Sequence, residues 1–252
     1  MFAVSNDPVL LLHGQPGAAR DWEPVRAALG ERVPSTIAID RPGWDGRPGV
    51  SDLAGNARAA LAALDGAGVD RASVVGHSLG AAVAGWLATT APHRVGRLVL
   101  VAPAANLDSL SAVDYLLAAP VIGWLASVGA MAGGGAVLGA GPLRRWVAEA
   151  TALDERYLRS AGRMLLAPRA WGAFVREQRF LVSDLPSLEA RLGEISVPTT
   201  IVAGTGDHVV PISAARRLAE QIPRAELIEL QHAGHLLHIR HADRLAEIIA
   251  PR

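Results

Sequence analysis

Short apolar runs bounded by Gly, Pro, Asp or Asn recur along the chain at Val9 to Leu12, Thr36 to Ile39, Ala72 to Val75, Leu98 to Val101, Thr199 to Ala203 and Glu226 to Leu230. Runs this short, rich in Val, Leu and Ile and closed by turn residues, predict strands. Between them, apolar residues recur at three- and four-residue steps from Asp21 to Leu29, Asn56 to Leu64, Leu79 to Thr90, Ser213 to Gln221 and Ala242 to Ile249. That spacing predicts helices with one buried face. Strand and helix alternate, which implies parallel strands joined by right-handed crossovers, helices on both faces and chemistry at the carboxyl ends of the strands.

The alternation breaks once, from about Ala104 to Ile195, where helical stretches such as Trp146 to Leu158 and Arg169 to Leu181 follow one another without a strand. This reads as a helical insertion. Within it, no charged residue occurs between Asp114 and Arg144, a run long enough to cross a bilayer. Pro120, Gly123, Gly129 and Gly133 to Gly135 interrupt the run, and it is alanine-rich rather than leucine-rich. The expectation is therefore a buried or pocket-facing lid segment and no stable membrane insertion. No fixed-period repeat is present, and the only low-complexity patch is Met131 to Gly141.

Composition narrows the chemistry. The 252 residues fit one large domain, or one domain carrying an insertion. Basic and acidic residues balance at 24 each, which gives no electrostatic reason to bind nucleic acid or an anionic surface. Cysteine is absent, excluding disulfides, thiolate metal sites and cysteine nucleophiles. Lysine is absent too, excluding a Walker-type phosphate loop and a lysine Schiff base. The first residues, MFAVSNDP, lack the basic and apolar regions of a secretory signal, so the expected compartment is the cytoplasm.

The strongest local signal is Gly76-His77-Ser78-Leu79-Gly80, directly after a predicted strand and directly before a predicted helix. Strand, tight turn and helix are what a nucleophile elbow requires, with the glycines relieving crowding around a strained serine. The helix start also aims the Leu79 N–H at the place where an oxyanion would form. A second donor is the backbone N–H of Gln15, in His13-Gly14-Gln15-Pro16-Gly17 at another strand end. His13 is expected to hydrogen-bond loop backbone. A serine nucleophile needs a histidine base and a group that orients it. Asp207, in Gly204-Thr205-Gly206-Asp207-His208, and His235, in His232-Ala233-Gly234-His235, each follow a different strand. His232, His235, His238 and His241 recur every three residues, but Gly234 disfavours a helix through them and no carboxylate or cysteine set accompanies them, so no metal is expected. His238 and His241 read as surface residues.

Together, HGQPG, Asp40-Arg41-Pro42-Gly43-Trp44, GHSLG, GTGDHVVP and HAGH resemble the ordered motifs of the α/β-hydrolase superfamily over nearly the whole chain. The resemblance implies an α/β core of residues 1–103 and 196–252, a mostly parallel doubly wound sheet, with residues 104–195 as a helical cap. It also implies Ser78 as nucleophile, His235 as base, Asp207 as acid, and the N–H groups of Gln15 and Leu79 as oxyanion hole, with no cofactor. Two departures stand out: the N-terminal strands look shortened, and Trp44 continues into Asp45-Gly46-Arg47-Pro48 rather than Gly-x-Ser. Asp108 is the rival acid, because it follows the strand Leu98 to Val101 and some superfamily members carry theirs there.

Trp124, Trp146 and Trp171 fall in the cap with Phe174 and Phe180 and are read as lining an apolar substrate pocket, or as packing the cap on the core. The expected activity is acyl-enzyme hydrolysis of a small to medium apolar carboxylic ester. Carbon–carbon bond hydrolysis, another serine-branch reaction, or ligand binding with little turnover remain alternatives. Homo-oligomerisation is open.

Overall fold

The computed structural model describes residues 7–46 and 52–250. Six strands, β1 (Val9–Leu12), β2 (Thr36–Ile39), β3 (Ala72–His77), β4 (Val95–Val101), β5 (Thr199–Gly204) and β6 (Ala225–Leu230), pair in parallel in the order β2-β1-β3-β4-β5-β6. The chain steps from β1 outward to β2, then returns past β1 to β3 and onward. The order therefore reverses between β1 and β3, and the crevice at their carboxyl ends is where such sheets bind ligands. Register aligns those ends, with Leu12 opposite Gly76, His77 opposite Val101, and Gly204 opposite Leu230.

Strand side chains alternate between two apolar layers. Leu10, Leu12, Val74, Leu98, Leu100 and Ile201 pack with α2 (Leu53–Gly66), α3 (Leu79–Thr90) and α9 (Ile212–Gln221). Val9, Leu11, Val75, Val99 and Val202 pack with α1 (Glu23–Leu29), α10 (Leu237–Arg240) and α11 (Ala242–Ile249). Being covered on both faces is why these strands read as continuous apolar runs. Helix α3 is buried almost all round between the sheet, α2 and the insertion, which matches its lack of any charged residue.

The insertion between β4 and β5 holds only helices and short 3₁₀ turns: α4 (Ala112–Ala118), α5 (Pro120–Gly139), α6 (Gly141–Thr151), α7 (Glu155–Leu165) and α8 (Pro168–Glu189). The stretch Trp146 to Leu158, expected as one helix, is two. Ala152 is left-handed (φ 52°), and the Asp154 carboxylate caps α7 by accepting the Arg156 and Tyr157 N–H groups at 2.7 and 3.2 Å. The charge-free run meets the expectation in part: α5 packs against α7 with Gly123, Ser127, Met131 and Gly135 buried, but leaves Val121 72% and Leu125 59% exposed on the outside of the cap. By length and composition, α5 could cross a membrane.

Candidate active site

Ser78 sits between β3 and α3 with φ 52° and ψ −120°, a backbone conformation that costs a non-glycine residue about 1–3 kcal/mol. Its surroundings hold it there. The Ser78 N–H donates to the Val101 carbonyl at 2.9 Å, and its carbonyl accepts from the N–H groups of Ala81 and Ala104 at 2.9 and 3.2 Å. The flanking glycines follow from close approach of backbones. A Cβ at Gly80 would lie 2.3 Å from the Leu12 oxygen, and one at Gly76 would lie 2.2 Å from the Gly80 oxygen. The start of α3 can meet the end of β1 only without those side chains.

At the far ends of β5 and β6, two turns press together so closely that a Cβ at Gly204 would lie 2.0 Å from the Ala233 oxygen. Asp207 hangs from the first turn and His235 from the second. The side chain of Asp207 is 2% exposed; its Oδ1 accepts the N–H groups of Val209 and Val210 at 2.8 and 3.0 Å, and its Oδ2 faces His235 Nδ1 at 2.8 Å. Against a carboxylate acceptor, Nδ1 carries the proton, so Nε2 is left with its lone pair. Asp108, in contrast, is exposed on a 3₁₀ turn (Leu107–Ser109) at the entrance to the cap, and the carboxylate on His235 is that of Asp207.

The loop after β1 is fixed from beneath by Arg41, which is wholly buried. Its Nε donates to the His13 carbonyl at 3.0 Å and its Nη2 to the Gly14 carbonyl at 2.9 Å. The Arg41 N–H donates to His13 Nε2 at 3.0 Å, so His13 Nδ1 is protonated and donates to the Gly14 carbonyl at 2.8 Å. The guanidinium is countered by Glu177 of α8, also buried, through a short Nη1–Oε1 bond and an Nη2–Oε2 bond at 3.2 Å. Burial raises the Glu177 carboxyl, and Arg41 pulls it back. Removing one partner of such a pair costs about 3–5 kcal/mol, because a charge is left alone in a dry interior.

His238 is a correction: it is 3% exposed, not on the surface. Its ring stacks 4.0 Å from that of His77 and 5.1 Å from Trp22, because α10 turns it inward under the His235 loop. His77 Nε2–H donates to the His235 carbonyl at 3.0 Å, which anchors that loop to the elbow. Burial lowers His13 and His77 well below the ordinary 6.5 and His238 to about 3. The unfolded chain therefore takes up three protons that the native state refuses, and stability is complete above about pH 6.5 and lost as pH falls. Asp21, pushed up to about 6 by burial, and Glu177, also raised, act in the opposite sense. The three histidines outnumber the carboxyls acting against them, so stability is expected to fall as pH drops below about 6.5. Urea unfolding at about pH 7 and pH 4.5 should show it, and His238→Phe should flatten the dependence. An unchanged slope in that variant would contradict a buried neutral His238.

Ser78 and Leu79 open on a cavity of about 340 Å³ lined also by Gln15, Val113, Leu117, Phe174, Leu181 and Val210, with Ser109, Ser111, Asp114, Gln178 and His208 among its polar members. Gln15 Nε2 donates to the Phe174 carbonyl of α8 at 2.7 Å. The three tryptophans do not line it. Trp124 and Trp146 are 48% and 66% exposed on the outside of the cap, and the Trp171 indole donates to the Leu165 carbonyl at 2.7 Å, turned to the α7–α8 junction. Phe174, three residues on from Trp171, is the aromatic residue at the cavity. Sequence reading missed Arg41, Glu177, His77 and Gln178. A usable signal existed for Glu177, since it falls in the row Ala173, Glu177, Leu181, Leu185 on the buried face of α8. Among the described residues, no cluster of three or more metal-ligating side chains occurs.

A parallel sheet reversing at β1 and β3, a strained serine at that switch point and a carboxylate–imidazole pair at the neighbouring strand ends define a hydrolase of the α/β type. The model of the alpha/beta hydrolase family matches residues 9–248, and the chain belongs to that family. Similar proteins include a 2-hydroxy-6-oxononadienedioate/2-hydroxy-6-oxononatrienedioate hydrolase of Pseudomonas putida, 29% identical over 96% of this chain and 86% of that one. A candidate carbamate hydrolase, RutD, of Azorhizobium caulinodans is 33% identical over 90% of this chain and 84% of its own. Among solved structures, a meta-cleavage product hydrolase of Pseudomonas fluorescens superposes with a TM-score of 0.74 at 22% identity, covering 97% of this chain and 89% of that one. A thermophilic esterase of Thermogutta terrifontis superposes at 0.72 with 21% identity, covering 96% and 88%. These two share the fold.

Proposed function

We infer that this chain is a serine hydrolase that cleaves neutral carboxylic esters of small to medium size through an acyl-enzyme on Ser78. The observation that carries this reading is the strained Ser78 at the mouth of a largely apolar cavity, with the Asp207–His235 pair across the strand ends. In this reading His235 Nε2 takes the Ser78 hydroxyl proton as Oγ adds to the carbonyl carbon. It then returns that proton to the leaving oxygen as the carbon–oxygen bond breaks. Asp207 keeps the imidazole in the required tautomer and offsets its charge. The N–H groups of Gln15 and Leu79 hold the oxyanion, helped by the start of α3. A water activated by the same imidazole releases the acid.

A second reading, hydrolysis of a carbon–carbon bond in a dicarboxylate, is favoured by the similarity to the dioate hydrolases. The cavity supplies an argument against it. Among the described residues no arginine lines it, and the one carboxylate among them, Asp114, is held by Ser111 and Gln178 at 2.7 and 2.8 Å. A dianion there would face that negative charge with no guanidinium among the described lining residues to offset its desolvation. The test is labelling of Ser78 by a fluorophosphonate, followed by rates for p-nitrophenyl esters of rising chain length and for a vinylogous 1,5-diketo acid. Labelling with ester turnover is expected. Turnover of the diketo acid alone would move the assignment to carbon–carbon cleavage, and neither labelling nor turnover would leave only ligand binding.

A further inference from the structure

The oxyanion loop is held by groups that come from the cap. Helix α8 reaches it twice: the Phe174 carbonyl accepts from the Gln15 side chain at 2.7 Å, and one turn later Glu177 grips Arg41. Arg41 in turn holds the carbonyls of His13 and Gly14, the two residues just before Gln15. Both charges are fully buried, so this link is neither screened nor adventitious. A carbonyl held by a guanidinium cannot rotate, and the peptide N–H that follows it is then fixed in direction.

The geometry points to Glu177 as a positioning residue that, through Arg41, orients the Gln15 N–H toward the substrate oxyanion, so that the oxyanion hole is complete only when α8 is seated. This rests on the serine-hydrolase reading above for its catalytic consequence, and on geometry alone for its structural one. Glu177 touches no reacting atom. Its loss should leave ground-state binding intact and weaken only what the transition state gains.

The experiment is Glu177→Gln beside a double variant, Arg41→Met with Glu177→Met, in which the buried pair is replaced by apolar chains and folding is expected to be retained. For a p-nitrophenyl ester, both should lose about 10–100-fold in kcat with KM within about twofold. The inhibition constant of a trifluoromethyl ketone, which adds Ser78 Oγ to its carbonyl and leaves an oxyanion in the hole, should rise by the same factor. In parallel, hydrogen–deuterium exchange read by mass spectrometry should quicken in the peptide spanning residues 13–15 and not in the one spanning β3 and α3. Folded variants with wild-type kcat, inhibitor affinity and exchange would overturn the proposal. If the wild type hydrolyses no ester, the functional reading fails, and exchange at residues 13–15 still decides whether Glu177 positions the loop.

Discussion

Replacing Ser78 with alanine is expected to abolish ester hydrolysis, by at least about 10⁴-fold in kcat, while the melting temperature shifts by no more than a few degrees. The two halves of that expectation have separate causes. Alanine bears the same Cβ as serine, so the φ of 52° is no harder to hold, and the backbone bonds to Val101, Ala81 and Ala104 do not involve the hydroxyl. Only Oγ is lost. If Oγ forms the bond to the acyl carbon, its removal leaves the elbow without a nucleophile. Substantial residual turnover would place the nucleophile elsewhere, and loss of folding would mean that the hydroxyl supports the elbow in a way its contacts do not suggest.

Asp207→Asn should cost up to about 10⁴-fold in kcat, and Asp108→Asn almost nothing. Asparagine can keep its oxygen on the N–H groups of Val209 and Val210, which turns its NH₂ toward His235 Nδ1. Nδ1 must then accept, the ring proton moves to Nε2, and the atom that should take the serine proton already carries one. Labelling of Ser78 by a fluorophosphonate should slow in step with kcat, because it needs the same base. Asp108 is exposed and lies at the cap entrance, so its charge is screened and its loss felt little. The reverse ranking would move the acid to β4, and equal partial losses would mean that the two carboxylates share the role.

The core was readable because the four inner strands are buried on both faces and every strand is short and bounded by breakers, the edge strands β2 and β6 being half-buried. All six predicted strands are present, and the helices Leu79–Thr90 and Ala242–Ile249 have the expected ends. Boundaries moved where capping decides them. Helix α2 begins at Leu53 rather than Asn56 because Asp52 accepts the Gly55 N–H at 2.6 Å. The candidate site divides in the same way. Ser78, Gln15, Asp207 and His235 lie in short motifs at strand ends, where local sequence dictates the turn. What was not legible depends on which way a side chain faces across the molecule. His238 reads as a surface residue although Leu236, Leu237 and Ile239 flank it, and α10 rolls it under the His235 loop. The cap tryptophans looked like pocket residues because they are large and apolar, and two of them face outward. Arg41 and Glu177, 136 residues apart, have no local signature as a pair. The continuation Arg47-Pro48 lies outside the described residues.

Helix α8 belongs to two bodies at once. Phe174, Gln178 and Leu181 border the cavity, whereas Phe180, Leu185 and Leu188, and Leu181 as well, are part of the same apolar layer as β1, β3 and α3, and Asp184 accepts the Leu53 N–H that opens α2. The exchangeable unit of this architecture is therefore shorter than the stretch between β4 and β5. A foreign lid could be grafted in place of α4 to α7, with junctions near Ser111 and Ala167, and inherit a finished core. A graft extending through residue 195 would remove part of that core along with the lid and leave Arg41 without its counter-charge. Lid size within such a scaffold can thus change in the segment before α8 while the machinery beneath is carried along unchanged.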